Sequence, residues 1–267
     1  MCKPQTMTSS MNKIIFCIGL FLGGIVSASH GFAQTKDNSH PGFDGTAGIG
    51  PIVFANYTGG KGLQALPIPQ INATYNDMFY VYLLRAGVYL WGNETKTMGF
   101  GLAVEPRFGF GAHSGSLLTG MTTRRSSLEG GLSFDWASPW VDVNLAYFGD
   151  MSHASNGTST RVALYKEWIK RQDWNVGLLF ELDHISKDIA NYYFGVRANE
   201  VTASRPLFQP GGTTNVIVGF DGNYAIDKGH KVVFGLNMTQ LGSGVVSSPI
   251  VQTHQSTFFW MGYAWNL

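Results

Sequence analysis

Hydrophobic and polar residues alternate strictly over long stretches of the chain, which is the period of a β-strand with each face in a different environment. The clearest stretches are 100–110, 128–136, 141–147, 174–182 and 216–224. One phase of each carries large apolar side chains, and the other carries glycines, amides and carboxylates. Stretches of about ten residues with this alternation predict an all-β protein with long two-faced strands.

The last residues continue the pattern, with Thr257, Phe259, Met261, Tyr263, Trp265 and Leu267 in one phase. A final strand that exposes aromatic residues is typical of a membrane barrel, in which it closes against the first strand. Closure is needed because unpaired backbone is not tolerated in lipid.

The first residues predict export. Lys13 precedes an apolar run over 14–26, and small residues follow it up to a predicted cleavage point after Ala33. This order is that of a signal peptide, and the run is shorter than the roughly 20 residues of a spanning helix. We therefore expect a signal peptide over 1–33, a short segment over 34–44 and a β-barrel over 45–267 in the outer membrane of a Gram-negative type of cell.

A soluble β-sandwich would also show alternating strands, with its apolar face in a core instead of in lipid. The signal peptide, the long strands and the aromatic residues at predicted strand ends favour the barrel. Those aromatic residues are Trp91, Trp136, Trp168 and Trp174.

Predicted connections alternate between tight and long. Tight turns are expected at 76–77, 137–139, 170–173 and 226–229, and longer loops at 111–123, 150–157, 185–212 and 242–254. Eleven strands can be traced, whereas bacterial single-chain barrels have an even number. We expect a closed antiparallel barrel of 12 strands, with 10 as the alternative. The doubtful stretches are 65–75, which contains Pro67 and Pro69, and 191–196.

Composition narrows the class. The chain has 34 glycines and is 13% aromatic but only 13% charged, about half the usual charged fraction. Both cysteines lie in the predicted leader, so no disulfide is expected. Loss of Lys3 and Lys13 leaves 16 bases against 17 acids, a net charge of −1. A nucleic-acid partner is therefore not expected.

Several short segments resemble the MipA/OmpV family of outer-membrane proteins. They are Asn56-Tyr57-Thr58-Gly59 with Leu66-Pro67-Ile68-Pro69, the stretch Asn191 to Val196, and Leu241-Gly242 followed by Ser247 to Val251. The resemblance covers essentially the whole mature chain. Such barrels usually end in Phe, so Leu267 is a departure that predicts weaker recognition by the barrel assembly machinery.

The resemblance implies a non-enzymatic scaffold, since the family includes a protein named for its interaction with a lytic murein transglycosylase. The expected partners are outer-membrane lipid, the assembly machinery, a lytic murein transglycosylase and a murein synthase.

The alternative is a channel for small solutes. Seven acids occupy the predicted lumenal phase against Arg85 and Arg107, so an aqueous path would favour cations. The acids are Glu105, Glu129, Asp135, Asp142, Glu181, Asp183 and Asp221. At 10 to 12 strands, however, side chains can fill much of the interior. The loop 185–212 is expected to form a binding surface or a plug.

A third hypothesis is lipid hydrolysis, because the segment 150–157 resembles the His-x-Ser-Asn segment of outer-membrane lipid A deacylases. His153 would activate Ser155, with Asp150 or Glu167 as the third group. Glu167 fits poorly, because a turn at Asn156-Gly157 places it roughly 33 Å along the next strand. The simpler interpretation is ordinary turn chemistry. No catalytic, metal or cofactor site is predicted, and no cofactor is expected.

Overall fold

The computed structural model describes residues 42–267, so the predicted signal peptide lies outside the described residues. Twelve strands make up the described chain: β1 (Phe43–Ala55), β2 (Leu63–Tyr75), β3 (Phe79–Tyr82), β4 (Arg85–Gly92), β5 (Met98–Arg107), β6 (Ser127–Ala137), β7 (Asp142–Asp150), β8 (Thr158–Lys170), β9 (Trp174–Ile185), β10 (Thr213–Ala225), β11 (His230–Gln240) and β12 (Gln255–Asn266). The helices are α1 (Lys187–Phe194) and α2 (Ser243–Val246), with 3₁₀ turns at Ser116–Leu118 and Ala198–Glu200.

Each strand pairs antiparallel with its neighbours, and β12 closes the sheet against β1. The prediction of a closed 12-stranded barrel is therefore confirmed, and the first strand begins at Phe43, two residues before the predicted boundary at Gly45. Within residues 42–267 no helix is long and apolar enough to cross a membrane.

The two doubtful stretches have different outcomes. The proline-containing stretch belongs to a full strand, β2, whereas 191–196 lies largely in α1 and is not a strand. The stretch 100–110 was predicted as one strand, but β5 ends at Arg107, and Phe110 reaches the sheet only through an isolated bridge to Arg124. The even count is completed by the short hairpin of β3 and β4.

The apolar phase faces outward. Val218 and Phe220 in β10 are 48% and 39% exposed, whereas Glu105 and Glu129 are 3% and 1% exposed. Such outward apolar side chains suit lipid, and the carboxylates lie in the lumen. The predicted phase of the strands is confirmed.

The barrel has two distinct ends. At one end, called the turn end, lie both ends of the described chain and the short connections, which are 76–78, 93–97, 138–141, 171–173 and 226–229. At the other, called the loop end, lie the longer connections, which are 56–62, 108–126, 151–157, 186–212 and 241–254. Six of the seven tryptophans lie near the turn end: Trp91, Trp136, Trp140, Trp168, Trp174 and Trp265, each at least 42% exposed. The tryptophans mark a membrane interface at this end. Short turns normally face the periplasm, and on this ground the turn end is assigned to the periplasmic side.

The β3–β4 hairpin spans only the turn-end half of the wall. β3 pairs with residues 72–75 of β2, and over 63–70 β2 pairs with β1 but with no strand on its other side within residues 42–267. The Leu83 N–H donates to the Ile71 carbonyl at 2.7 Å. The backbone N–H and C=O groups of the odd-numbered residues of β2 therefore point toward this free edge. Pro67 and Pro69 share that phase and lack an N–H, so they place no unpaired donor there.

Glycines in the lumen wall lie beneath aromatic rings. A Cβ on Gly177 would overlap the Tyr165 ring, and a Cβ on Gly235 would overlap the Trp260 ring. The absent side chains allow rings from one strand to lie flat on the backbone of the next. The lumen is therefore packed by rings as well as by charged groups.

Candidate functional site

The loop end is closed by a cap with its own hydrophobic core. The core joins the loops 56–62, 108–126, 186–212 and 241–254 through side chains that are at most 6% exposed. They include Tyr57, Phe110, Leu118, Met121, Ile189, Phe194, Val196, Val245 and Ile250. Because four loops contribute, the cap is a packed layer across the outer mouth and not a set of independent loops.

One buried ion pair ties two of these loops together. The Arg124 guanidinium donates to both carboxylate oxygens of Glu200, at 2.8 and 2.7 Å, and also to the Gly195 carbonyl at 3.2 Å. Burial alone would raise the pKa of Glu200. Hydrogen bonds from Arg124 and from the backbone N–H groups of Arg197 and Thr122 outweigh that effect and hold the pKa at about 2. Glu200 is therefore ionised at neutral pH and serves as the central acceptor of the cap.

Hydroxyl groups anchor the cap to the barrel. Tyr193 Oη donates to the Arg125 carbonyl at 3.2 Å, and it lies 3.1 Å from Ser127 Oγ at the start of β6, whose hydroxyl can donate to it. Tyr57 Oη donates to the Ile250 carbonyl at 3.0 Å. Burial raises the pKa of Tyr193 to about 12, so its hydroxyl stays protonated and remains a donor at neutral pH.

Below the cap, a cluster of charged side chains crosses the lumen. Arg161 of β8 forms an ion pair with Glu105 across the barrel and donates to Asp183 Oδ1 at 3.2 Å. Its guanidinium also lies 3.8 Å from Glu129 and 3.9 Å from Glu181. Each of these side chains is at most 4% exposed. One arginine therefore compensates four acids from three strands, β5, β6 and β9.

Arg107 of β5 completes this cluster. It forms a two-point ion pair with Glu129, in which Nη2 donates to Oε2 at 3.0 Å, and Nη1 lies 3.9 Å from Asp183. Ser159 donates to the same Glu129 oxygen at 3.0 Å. Buried charges cost several kcal/mol unless they are paired in this way, so the six side chains form a single interdependent unit.

A polar layer lies on the turn-end side of the charged cluster. Arg85 donates to Ser133 Oγ at 2.9 Å and to Asn144 Oδ1 at 3.1 Å, and Asn144 donates to Asp135 at 2.6 Å. Tyr89 Oη donates to the other Asp135 oxygen at 3.3 Å. The lumen is thus bridged at two successive levels by side chains from different strands.

Three tyrosines end the packed part of the lumen. The rings of Tyr80 and Tyr82 stack with centroids 4.9 Å apart, and the Tyr89 ring lies 4.8 Å from that of Tyr80. Beyond them, a cavity of about 510 Å³ extends to the turn end. Strand residues in its lining include Asp44, Asn72, Thr74, Tyr82 and Tyr89, and the turns 76–78 and 93–97 form its rim.

The predicted lumenal acids share one phase of the sheet, as their cross-strand partners show. Their compensation was not predicted, because the lumenal bases expected from the sequence were Arg85 and Arg107 and did not include Arg161. Arg161 lies in the lumenal phase of β8, so the alternation of that strand contained the signal. The pairing of Arg124 with Glu200 had no comparable signal, because both residues lie in loops 76 positions apart.

The segment 150–157 does not form a catalytic triad. The His153 ring lies 3.1 Å from Asn156 Oδ1, whereas Ser155 Oγ donates to Asp150 Oδ2 at 3.1 Å. Asp150 also accepts from the backbone N–H groups of Ser152, Ser155 and Asn156. No hydrogen bond among the described residues joins His153 to Ser155 or to Asp150. These contacts fit the turn-chemistry interpretation, with Asp150 as the organiser of the loop.

Glu167 lies far from this loop, as the turn position predicts. It is at the turn-end side of β8, pairs in register with Gly177 and forms an ion pair with Lys170 at 3.1 Å. Within residues 42–267 no group of three or more His, Cys, Asp or Glu side chains is arranged to hold a metal ion.

The fold, the outward apolar face and the filled lumen define an outer-membrane β-barrel. The family model described as "MltA-interacting protein MipA" matches residues 47–267. The chain belongs to this family, and the resemblance seen in the sequence is confirmed.

Two curated relatives carry outer-membrane names. "Outer membrane protein Omp26La" of Vibrio anguillarum is 29% identical over 140 residues, or 52% of this chain and 54% of the relative. "Outer membrane protein OmpV" of Vibrio cholerae serotype O1 is 29% identical over 143 residues, again 52% and 54%. The chain thus matches about half the length of these relatives. A solved chain described as "Asymmetric conductivity of engineered proteins" has a TM-score of 0.27 and 11% identity, covering 84% of this chain and 99% of that one; no conclusion rests on it.

Proposed function

We propose that this barrel is a non-enzymatic scaffold that holds a lytic murein transglycosylase and a murein synthase at the inner face of the outer membrane. The family description names an interaction with a murein transglycosylase. The observation that carries the proposal is the filled lumen, because a barrel bridged by buried ion pairs and capped at its loop end is built as a rigid support. The turn end is then the surface that periplasmic partners contact.

A cation-favouring channel is the second candidate, since the lumen is rich in acids and a cavity opens at the turn end. The contacts weigh against it. Glu105, Glu129 and Asp183 are engaged by arginines, and the cap core closes the outer mouth. A conducting state would require the cap and the charged cluster to rearrange together.

Hydrolysis by His153 and Ser155 is not proposed, because the two side chains bond to different partners. Ser155 does line a groove of about 280 Å³ together with Asp188, Tyr192 and Arg197. Its hydroxyl donates to Asp150 Oδ2, and among the described residues no histidine forms a hydrogen bond with it.

The scaffold role is tested by affinity capture from cross-linked cells. We expect the tagged barrel to recover a murein transglycosylase and a murein synthase above an unrelated outer-membrane barrel. Lys228→Glu at the turn end should reduce the recovery, and the matched Lys61→Glu at the loop end should not; both residues are exposed. Recovery equal to that of the unrelated barrel would exclude the scaffold role.

A further inference from the structure

The cavity at the turn end differs from the rest of the lumen in its chemistry. Among the strand residues of its lining, Asp44 is the one charged residue; Asn72, Thr74, Tyr82 and Tyr89 are polar, and Leu90, Trp91 and Met98 are apolar. At the rim, Lys96 and Asp77 neutralise each other at 2.7 Å. A cavity with so little net charge is poorly suited to an ion and well suited to a neutral ligand that has both apolar surface and hydrogen-bonding groups.

The side chains of this cavity offer both donors and acceptors. Asn72 and Asp44 are exposed and Thr74 is half-buried, although all three lie in the lumenal phase, so they contact the solvent that fills the cavity. An amide, a hydroxyl and a carboxylate that converge in this way match the alternating donors and acceptors of a polyhydroxylated molecule.

The inner wall of the cavity is aromatic. Tyr82 and Tyr89 belong to the three-tyrosine cluster, in which Tyr82 stacks on Tyr80 and is 5% exposed, and the half-buried Tyr89 is tilted against Tyr80. A tyrosine presents an apolar face together with a polar hydroxyl, and this combination suits a ring that has C–H groups on its faces and hydroxyl groups at its edge. Sugar rings have this character.

We propose that the turn-end cavity binds the glycan of murein, with one or two N-acetylhexosamine rings against Tyr89, beside the small exposed part of Tyr82, and with their polar groups bonded to Asn72, Thr74 and Asp44. The inference rests on the proposed scaffold function, to which it adds the class of ligand. The volume of about 510 Å³ lies within the roughly 300–1,000 Å³ of small-molecule sites. The barrel would then hold the substrate of the murein enzymes beside the enzymes themselves.

The proposal is tested by titrating the purified, folded barrel with N,N′-diacetylchitobiose. The detergent must lack a sugar headgroup, because such a headgroup would compete for the cavity. Binding is followed by calorimetry and by chemical-shift changes of the acetamido methyl groups. We expect saturable binding that Asn72→Ala and Thr74→Ala each weaken about tenfold, in line with the loss of a hydrogen bond to a buried ligand. The loop-end control Thr123→Ala should leave binding unchanged.

Three outcomes would overturn the proposal: no saturable binding, binding that is unaffected by Asn72→Ala and Thr74→Ala, or a preference for a murein stem tetrapeptide over the disaccharide. Because these variants change exposed or half-exposed side chains, folding can be checked by heat-modifiable gel mobility before each titration. Failure of the scaffold role is distinguishable, since it is read from enzyme capture and not from sugar binding. Capture that persists without sugar binding would leave the scaffold and remove the glycan site.

Discussion

The two ends of this barrel differ in how far they are closed: the loop end is covered by packed loops, and the turn end is open to a cavity. At the loop end, four loops form a hydrophobic core over the mouth of the barrel, and the ion pair of Arg124 with Glu200 connects two of these loops. At the turn end, short connections leave a cavity of about 510 Å³ next to the cluster of Tyr80, Tyr82 and Tyr89. The closed end faces outward and the open end faces the periplasm, so the barrel presents its accessible interior to the cell-wall side.

The strand pairing differs between the two halves as well. All twelve strands pair in the turn-end half, whereas in the loop-end half β2 has a free edge because the β3–β4 hairpin stops short. The charged cluster around Arg161 lies in the half in which β2 has this free edge, and the cavity lies in the half in which all twelve strands pair.

The largest expected effect is from removal of the lumenal arginine that serves several acids. Arg161→Ala leaves Glu105 and Asp183 buried without their main partner, and we expect a loss of about 3–5 kcal/mol in the free energy of unfolding. Urea titration of the folded barrel in lipid measures it. The exposed turn-end variant Arg171→Ala is the control, and an equal loss in both variants would contradict the role of the charged cluster.

The cap should respond to pH through Glu200. Its folded pKa is about 2, below the ordinary value of about 4.3, so its contribution is present above the ordinary value and is lost as pH falls toward 2. We expect amide exchange in the loops 108–126 and 186–212 to accelerate over that range, with the strands still protected. Glu200→Gln should show fast exchange already at neutral pH. A loop exchange profile that does not change with pH would contradict the role of this ion pair.

A smaller effect is expected from a methyl group placed beneath a lumenal ring. Gly177→Ala displaces the Tyr165 ring and should cost about 1–3 kcal/mol. Gly149→Ala is the matched control, because a Cβ there meets no atom within 4 Å. The two variants are compared by urea titration under identical conditions. Equal stability of both would show that the lumenal rings are not closely packed.

The smallest effect is expected in the loop 151–157. Ser155→Ala removes one hydrogen bond to Asp150, for which we expect a cost of about 1 kcal/mol in loop stability. His153→Ala should cost less, because its ring contacts only an exposed amide. Neither change should alter the rate at which fatty acid is released from phospholipid vesicles that contain the barrel. A hydrolysis rate that depends on Ser155 would revive the enzymatic hypothesis.

The strands were predictable because their signal is local. The alternation over 174–182 and 216–224 specifies both the strands and their faces, and the tight turn at 226–229 separates β10 from β11. The stretch with Pro67 and Pro69 was harder to interpret, because prolines are not expected inside a strand that is paired on both sides. They fit β2 because its edge is unpaired over 63–70. That edge depends on the length of a neighbouring hairpin, which is not a property of the prolines themselves.

The contents of the lumen were only partly predictable. The phase of Glu105, Glu129 and Asp183 follows from alternation, but their compensation by Arg161 depends on which strands face each other across the barrel. The helix α1 was hidden because Tyr192, Tyr193 and Phe194 are also typical of strands. Contacts between distant loops, such as Arg124 with Glu200, carry no local pattern at all.

The central claim is that the lumen is filled, and single-channel recording of the refolded barrel in a planar bilayer tests it most directly. We predict no stable conductance steps for the native chain under a salt gradient. A variant lacking Ala198–Pro210, which removes Glu200 and opens the cap, provides the comparison. Stable, cation-selective steps from the native chain would contradict the account and would favour a channel with an acidic lumen.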